Sequence, residues 1–289
     1  MHILENDIDI CIDGIYKYKV LDNVIDYQYD DFDKWVVKTN NTNDESNTNY
    51  YLIIDCIFHE AFGHWVYESA IYLLLYIKLK KIYANIKLHL KCYKQYKLLF
   101  CEFFNISADD IVLELDHNNR CIFPLPISSL NNKSISDDYK YQVDAFISHI
   151  QASLHNNDKP INILLLPRQT KENFISNNRF YNIDDISQHI IKDANNMVLY
   201  TDNIKTLKEQ INIVNISKNL IVTGGSPFLV NGILCKNANI IMLDDVTIRQ
   251  NPYYIKMQYI HNKILDINKI NIIPNKNAFT YHDIHQFLI

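Results

Sequence analysis

The feature that most constrains the fold is a repeated alternation of short apolar runs with segments of helical spacing. The clearest apolar runs cover residues 161–166, 220–222 and 239–243, each of a length typical of a buried strand. Helical spacing lies between them, as in residues 204–214. Strands that alternate with helices favour a parallel sheet with ligand sites at the carboxyl ends of the strands. We therefore predict an α/β fold.

The same alternation occurs in the first half of the chain. The predicted elements are strands at 51–55, 86–90 and 110–115, and helices from about His64 and at 93–104. Pro124, Pro126 and the polar stretch 128–138 interrupt it, and a helix at 139–155 would carry the chain onward. The predicted domains are 1–138, 139–270, and a C-terminal segment, 271–289, that packs back on the junction between them.

Charge and hydropathy exclude several classes of protein. The net charge is −5, and the sequence shows no basic stripe for nucleic acid. In the Lys-rich stretch 78–97 the lysines alternate with apolar residues, as on the solvated face of a helix or strand. The N-terminus lacks the basic and apolar regions of a signal peptide. The longest apolar run, 71–79, contains Lys78 and is too short to cross a bilayer. We expect neither a nucleic-acid partner nor a transmembrane segment.

Cysteine spacing points to a reducing compartment. The six cysteines form no CxxC pair and no zinc spacing, and most lie among apolar neighbours, so we interpret them as free thiols. The abundance of Asn, Ile, Lys and Tyr is typical of an AT-rich genome, for example that of a giant virus. We expect a cytoplasmic protein, located in the host cytoplasm if its source is viral.

Residues 62–68 place an imidazole and a carboxylate together. His64 and Glu68 are four residues apart at the predicted start of a helix, so they share one helix face. Such a pair can serve as acid, base or orienting group. The alternative is a buried core histidine that a backbone carbonyl satisfies, with Trp65 as a core residue.

Two arginines are candidates for binding phosphate. Arg168 directly follows the apolar run 161–166, and Arg179 lies beyond an Asn-rich stretch. A guanidinium binds phosphate oxygens with two parallel hydrogen bonds and stays charged at any working pH. The alternative is that both are ordinary surface arginines.

Glycines follow a second predicted strand. Residues 223–226 read Thr-Gly-Gly-Ser, and two of the chain's five glycines lie there. Glycine lets the backbone approach a ligand closely, and the next helix would direct its first amides at a phosphate or sugar. The alternative is a tight turn. Asp244 ends the third strand and could accept from a sugar hydroxyl, whereas Asp31 and Asp33 fit solvated charges better than a metal-binding pair.

The order of these motifs resembles glycosyltransferase family 61. The family's early Asn-Tyr-x-His-Trp-x-x-Glu box is matched by His64, Trp65 and Glu68. The later boxes are matched by Arg168, by Arg179 with residues 182–186, by Gln210, and by Gly224, Gly225, Asn231 and Asp244. The resemblance covers residues from about 50 to 245. Pro167 stands where the family has Ser, and Thr223 stands where it has His.

The resemblance implies a GT-B-like architecture of two Rossmann-type domains facing a cleft. It also implies an inverting transferase that uses a nucleotide sugar, which we expect to be a UDP-sugar, without an obligatory metal or other cofactor. The acceptor would be a hydroxyl of a glycan or protein, and His64 or Glu68 would take its proton. The implied donor-binding residues are Arg168, Arg179, Gly224, Gly225, Ser226, Asn231 and Asp244.

Two other functions remain open from the sequence. One is a catalytically degenerate protein of the same fold that binds a nucleotide or glycan without turnover. The other is a metal-dependent GT-A transferase, which would hold its metal with an aspartate pair such as Asp31 and Asp33 or Asp244 and Asp245.

Overall fold

The computed structural model divides the chain into two compact units, Met1–Phe146 and Ile147–Ile289. The residues that it describes are 2–3, 10–12, 16–29, 35–39, 49–55, 59–116, 119–124, 135–153, 159–167, 182–200, 203–243, 255–274 and 278–289. Each unit combines helices with a sheet that contains parallel strands, so the predicted α/β class is confirmed. The domain limits, with a boundary after Asp138, and the GT-B-like arrangement stay predictions.

The first unit contains two sheets. Its strands are β1 (His2–Ile3), β2 (Ile10–Ile12), β3 (Tyr16–Asp22), β4 (Val24–Tyr29), β5 (Trp35–Thr39), β6 (Asn49–Ile53), β7 (Lys87–His89), β8 (Ile111–Val112) and β9 (Asn119–Pro124). The larger sheet has the order β2-β3-β9-β6-β7-β8, and β9, β6, β7 and β8 are parallel. β3 and β2 extend it in the antiparallel sense, and β1-β5-β4 form a small antiparallel sheet.

The N-terminal strands have no counterpart in our sequence prediction. In β3, β4 and β5 aromatic side chains are buried on one face of the strand, because successive side chains point to opposite faces. Trp35 and Tyr27 pack edge-on against each other and against Phe123 of β9. The Trp35 indole also donates to the Pro124 carbonyl at 2.8 Å. The polar stretch 39–49 predicts a surface loop, but Thr39 ends β5 and Asn49 begins β6, and residues 40–48 lie outside the described residues.

The helices of this unit are α1 (Phe62–Glu68), α2 (Leu73–Ile82), α3 (Gln95–Phe103) and the first part of α4 (Asp137–Ala152). The helix predicted from about His64 is present and begins at Phe62, and Gly63 lies in its first turn instead of in a preceding turn. A 3₁₀ turn, Ala70–Tyr72, separates α1 from α2. Within the part of the chain that the structure describes, no helix is both long and apolar enough to span a membrane.

The second unit is built on one parallel sheet. Its strands are β10 (Ile161–Leu166), β11 (Asn196–Val198), β12 (Ser217–Thr223), β13 (Asn239–Leu243) and β14 (Lys269–Ile273), in the order β11-β10-β12-β13-β14. Its helices are α5 (Asp184–Ile190), α6 (Leu207–Asn215), α7 (Ser226–Leu234), α8 (Ile255–Ile267) and α9 (Tyr281–Ile284). The predicted strands at 161–166 and 239–243 are confirmed, and the run 220–222 is the centre of the longer β12.

Asparagine side chains link three of these strands near their amino ends. Asn239 donates to the Asn219 amide oxygen at 2.6 Å, and Asn271 donates to the Asn239 oxygen at 2.9 Å. Asn219 and Asn239 are buried and lie opposite each other in register. They also bind backbone atoms of Phe287 and Ile289, which fastens residues 287–289 to this end of the sheet. The buried amides of these strands thereby have hydrogen-bond partners.

Candidate functional site

The strand order of the second unit defines where a ligand would bind. β10 has β11 on one side and β12 on the other. The order in which the chain adds parallel strands to the sheet therefore changes direction between β10 and β12. In doubly wound sheets the ligand crevice opens at the carboxyl ends of the strands at such a reversal. Leu166 lies opposite Val222, and the next residues along the chain are Pro167 and Thr223. The connections after β10 and after β12, in which the sequence predicts ligand-binding residues, therefore flank this point.

The turn after β12 depends on glycine. Gly225 has φ 86° and ψ −143°, a region that is essentially restricted to glycine, and it is the N-cap of α7. No side chain caps this helix, and Pro227 in its first turn has no N–H group. The remaining first-turn amides have no intrahelical partner. They make the start of α7, where Ser226 lies half-buried, suited to an anion.

Thr223 adds a polar group at the same place. Its side chain is buried, with 4% of the residue exposed, and Oγ1 hydrogen-bonds to none of the described residues. A buried hydroxyl without a partner is unfavourable because it loses its hydrogen bond to water. An oxygen of a bound ligand would satisfy it.

Asn231 lies behind this turn. Its amide oxygen accepts from Gln210 of α6 at 2.6 Å, and its amide nitrogen donates to the Pro227 carbonyl at 2.7 Å. Both side chains are buried, so they join α6 to the first turn of α7. The described contacts of Asn231 are thus internal to the protein, and its role in donor binding stays a prediction. Arg168, Arg179 and Asp244 lie outside the described residues.

The first unit has a reversal point of its own. β6 lies between β7 and β9, and the chain continues from β6 through Asp55 into α1. Residues His64 and Glu68 of α1 are in contact, with His64 Nδ1 at 3.5 Å from Glu68 Oε1. The Tyr67 hydroxyl lies 2.9 Å from the same His64 nitrogen. Both members of the predicted catalytic pair are partly exposed, and their roles stay predictions.

A buried ion pair lies next to this box, and sequence reasoning missed it. Asp55 and Lys97 of α3 are both fully buried, with Lys97 Nζ at 2.7 Å from Asp55 Oδ2. Asp55 Oδ1 accepts from the indole of Trp65 at 2.7 Å, and Oδ2 also accepts from the Lys91 amide at 2.8 Å. A buried charge needs such compensation. The position of Asp55 directly after a buried apolar run is the signal that could have revealed it.

Three further side chains surround the ion pair or lie near it. His59 Nδ1 is 3.4 Å from Lys97 Nζ, and Cys92 Sγ is 3.6 Å from the same ammonium. Burial lowers the pKa of His59 below its ordinary value. His89 of β7 is buried against the Tyr27 hydroxyl at 2.7 Å, and burial lowers the pKa of His89 to about 4. His89 therefore stays neutral in a structural role.

Neither metal-binding geometry nor similarity to known proteins identifies the site. Among the residues described, no group of three or more His, Cys, Asp or Glu side chains is arranged to hold a metal ion. The acidic pairs Asp31 with Asp33 and Asp244 with Asp245 lie outside those residues. No protein-family model matches the chain, and no curated protein matches it.

Proposed function

We propose that the chain is an inverting glycosyltransferase that transfers a sugar from a nucleotide sugar to a hydroxyl of a glycan or protein. The observation that carries this proposal is the position of the reversal point in the second unit. Both connections that flank it, after β10 and after β12, carry motifs that resemble those of glycosyltransferase family 61. A crevice at this point suits a nucleoside diphosphate.

The chemistry of the β12–α7 turn supports a diphosphate ligand. The uncapped amides of α7 and the buried Thr223 hydroxyl can donate to phosphate oxygens. Arg168, directly after Pro167, would add a bidentate cation. Positive charge at this position stabilises the nucleoside diphosphate as it leaves. Donors of this kind act without a bound metal.

A contact between two family positions supports the resemblance. Gln210 and Asn231 belong to different boxes of the family pattern and are separated by 21 residues in the sequence. Their side chains nevertheless hydrogen-bond at 2.6 Å in the core of the second unit. The contact joins α6 to α7 and brings together two of the positions on which the resemblance depends.

The α1 box supplies a carboxylate and an imidazole for proton transfer. If the neutral His64 ring carries its proton on Nδ1, Glu68 and the Tyr67 hydroxyl can accept it, and Nε2 is the basic nitrogen. Glu68 would then orient His64, which takes the proton of the acceptor hydroxyl. In the reverse assignment Glu68 is the base and His64 orients it. The contact distances allow either assignment.

A nucleotide screen followed by a turnover assay tests the proposal. We expect UDP to raise the unfolding temperature more than GDP, CMP or dTDP, and the matching nucleotide sugar to be hydrolysed or transferred. Arg168→Ala should cost about 1.5–3 kcal/mol of nucleotide binding, as for a hydrogen bond to a charged group. Arg120→Ala is the matched control, because Arg120 pairs with Asp22 on the surface of the first unit.

The same assay separates the other functions. Nucleotide binding without turnover would identify a catalytically degenerate protein. Loss of turnover on chelation, restored by a divalent cation, would identify a metal-dependent transferase. Absence of binding by all four nucleotides would refute the proposal.

A further inference from the structure

His59 lies at the carboxyl edge of the sheet in the first unit, between β6 and α1. Its backbone carbonyl accepts from the Tyr96 hydroxyl at 3.1 Å, and its ring contacts the buried Asp55–Lys97 pair. The residue is held by its backbone carbonyl and by ring atom Nδ1, yet 15% of the side chain is exposed. This part of an α/β sheet is where ligands bind.

Lys97 determines which ring nitrogen of His59 carries the proton. An ammonium group has three N–H donors and no acceptor. Those of Lys97 are directed at Asp55 Oδ2, His59 Nδ1 and Cys92 Sγ, at 2.7, 3.4 and 3.6 Å. His59 Nδ1 must therefore accept, which leaves the proton of the neutral ring on Nε2.

Burial keeps the ring of His59 neutral. Burial is the largest influence on the pKa of His59 and lowers it. Lys97 and Lys91 lower it further, while Asp55 and Glu60 act in the opposite direction without reversing the shift. At neutral pH the ring is therefore an uncharged imidazole with an Nε2–H donor. None of the described residues hydrogen-bonds to Nε2.

We propose that His59 is a substrate-contact residue that donates its Nε2–H to a non-reacting oxygen of the hydroxyl-bearing acceptor. The inference rests on the proposed transfer to a hydroxyl, and it adds a residue outside the family motif. His59 precedes His64 by five residues, in the connection that leads into α1. A neutral donor fixed by a buried cation can orient a sugar hydroxyl without competing for its proton.

The tautomer is tested by NMR on the full chain with ¹⁵N-labelled histidine. We assign His59 by the resonance lost in His59→Gln, and expect a neutral ring with the proton on Nε2 at pH 7. The double variant Asp55→Asn with Lys97→Met removes both buried charges, and we expect it to release this tautomer. Lys94→Met is the matched control, because Lys94 pairs with Glu60 in an exposed position. An Nδ1–H ring or an imidazolium in the wild-type protein would overturn the proposal.

Ligand contact is tested with the methyl glycosides of glucose, galactose and N-acetylglucosamine at millimolar concentrations. We expect at least one of them to move the Nε2–H resonance of His59, and glycerol to leave it in place. If none of the three glycosides moves this resonance, His59 does not contact a sugar and the proposal fails. This readout needs no turnover, so it stays informative if the wild-type protein transfers no sugar and the proposed function is wrong.

Kinetics test the role in an active enzyme. His59→Ala should raise the KM for the acceptor roughly fivefold, the effect of one neutral hydrogen bond, and leave the KM for the donor unchanged. His59→Gln should restore most of the affinity, because its amide can donate from a similar position. An unchanged acceptor KM in His59→Ala would refute the contact. Tryptophan fluorescence confirms that each variant is folded.

Discussion

Replacement of Lys97 by Met should destabilise the first unit strongly. The substitution removes the only side-chain cation at 2.7 Å from the fully buried Asp55 carboxylate among the described residues. Removal of one partner from a buried pair costs about 3–5 kcal/mol. Asp55 keeps two neutral donors, the Trp65 indole and the Lys91 amide, so we expect the lower end of that range.

The chain offers a selective assay for this prediction. Its two tryptophans, Trp35 and Trp65, both lie buried in the first unit. Tryptophan fluorescence during urea unfolding therefore reports on that unit alone. The free energy of unfolding follows from the midpoint and the slope of the transition.

Two further variants decide whether charge is the cause. In Asp55→Asn with Lys97→Met no buried charge remains, so the loss should shrink to about 1 kcal/mol, the effect of one weakened hydrogen bond. Lys94→Met removes only an exposed pair with Glu60 and should change stability by less than about 1 kcal/mol. If Lys97→Met costs no more than Lys94→Met, the reasoning about the buried pair is wrong.

Three other predictions concern single residues. Thr223→Val should stabilise the second unit by about 1 kcal/mol, because it removes a buried hydroxyl that hydrogen-bonds to none of the described residues. It should also weaken nucleotide binding roughly tenfold, because the hydroxyl can no longer bind the ligand. Calorimetry with and without UDP measures both effects. Gly225→Ala should cost about 1–3 kcal/mol in thermal unfolding because of its positive φ, and an equal loss in Ser226→Ala would contradict this. The pKa of about 4 for His89 means that the unfolded chain binds its proton first as the pH falls below 6.5. His89 should therefore lower the stability of the first unit by about 2 kcal/mol between pH 7 and pH 5, and His89→Gln should remove this part of the pH dependence.

Burial on both faces explains which strands could be predicted. β10 and β13 are covered on both sides, so nearly every residue is apolar and the run stands out in the sequence. β14 lies at the edge of the sheet, where its sequence Lys-Ile-Asn-Ile-Ile is only half-buried and resembles a loop or a helix end. The N-terminal strands were missed for a related reason, since their cores depend on partners such as Phe123 that are distant in the sequence.

Some features of the candidate site follow from residues that are neighbours in the sequence, and others depend on residues that are far apart in it. The turn at Gly225 could be anticipated because a glycine after a strand reports a local backbone requirement. The contact of His64 with Glu68 follows from helical spacing alone. Lys97, by contrast, looked like a solvated residue, and its partner Asp55 is 42 positions away. Its burial follows only from the folded chain, which brings Lys97 of α3 to Asp55 after β6.

The asparagine side chains of the parallel sheet have a consequence for how the strands find their alignment. Residues 220–222 and 240–242 are apolar on both faces, so these segments alone would tolerate a shift of β12 against β13 by one position. Such a slip would place Asn219 opposite an apolar neighbour of Asn239 and separate two buried amides. Because each unpaired buried amide costs about 1–3 kcal/mol, the misaligned sheet is disfavoured. Polar side chains at one end of an otherwise apolar sheet thus select a single register during folding.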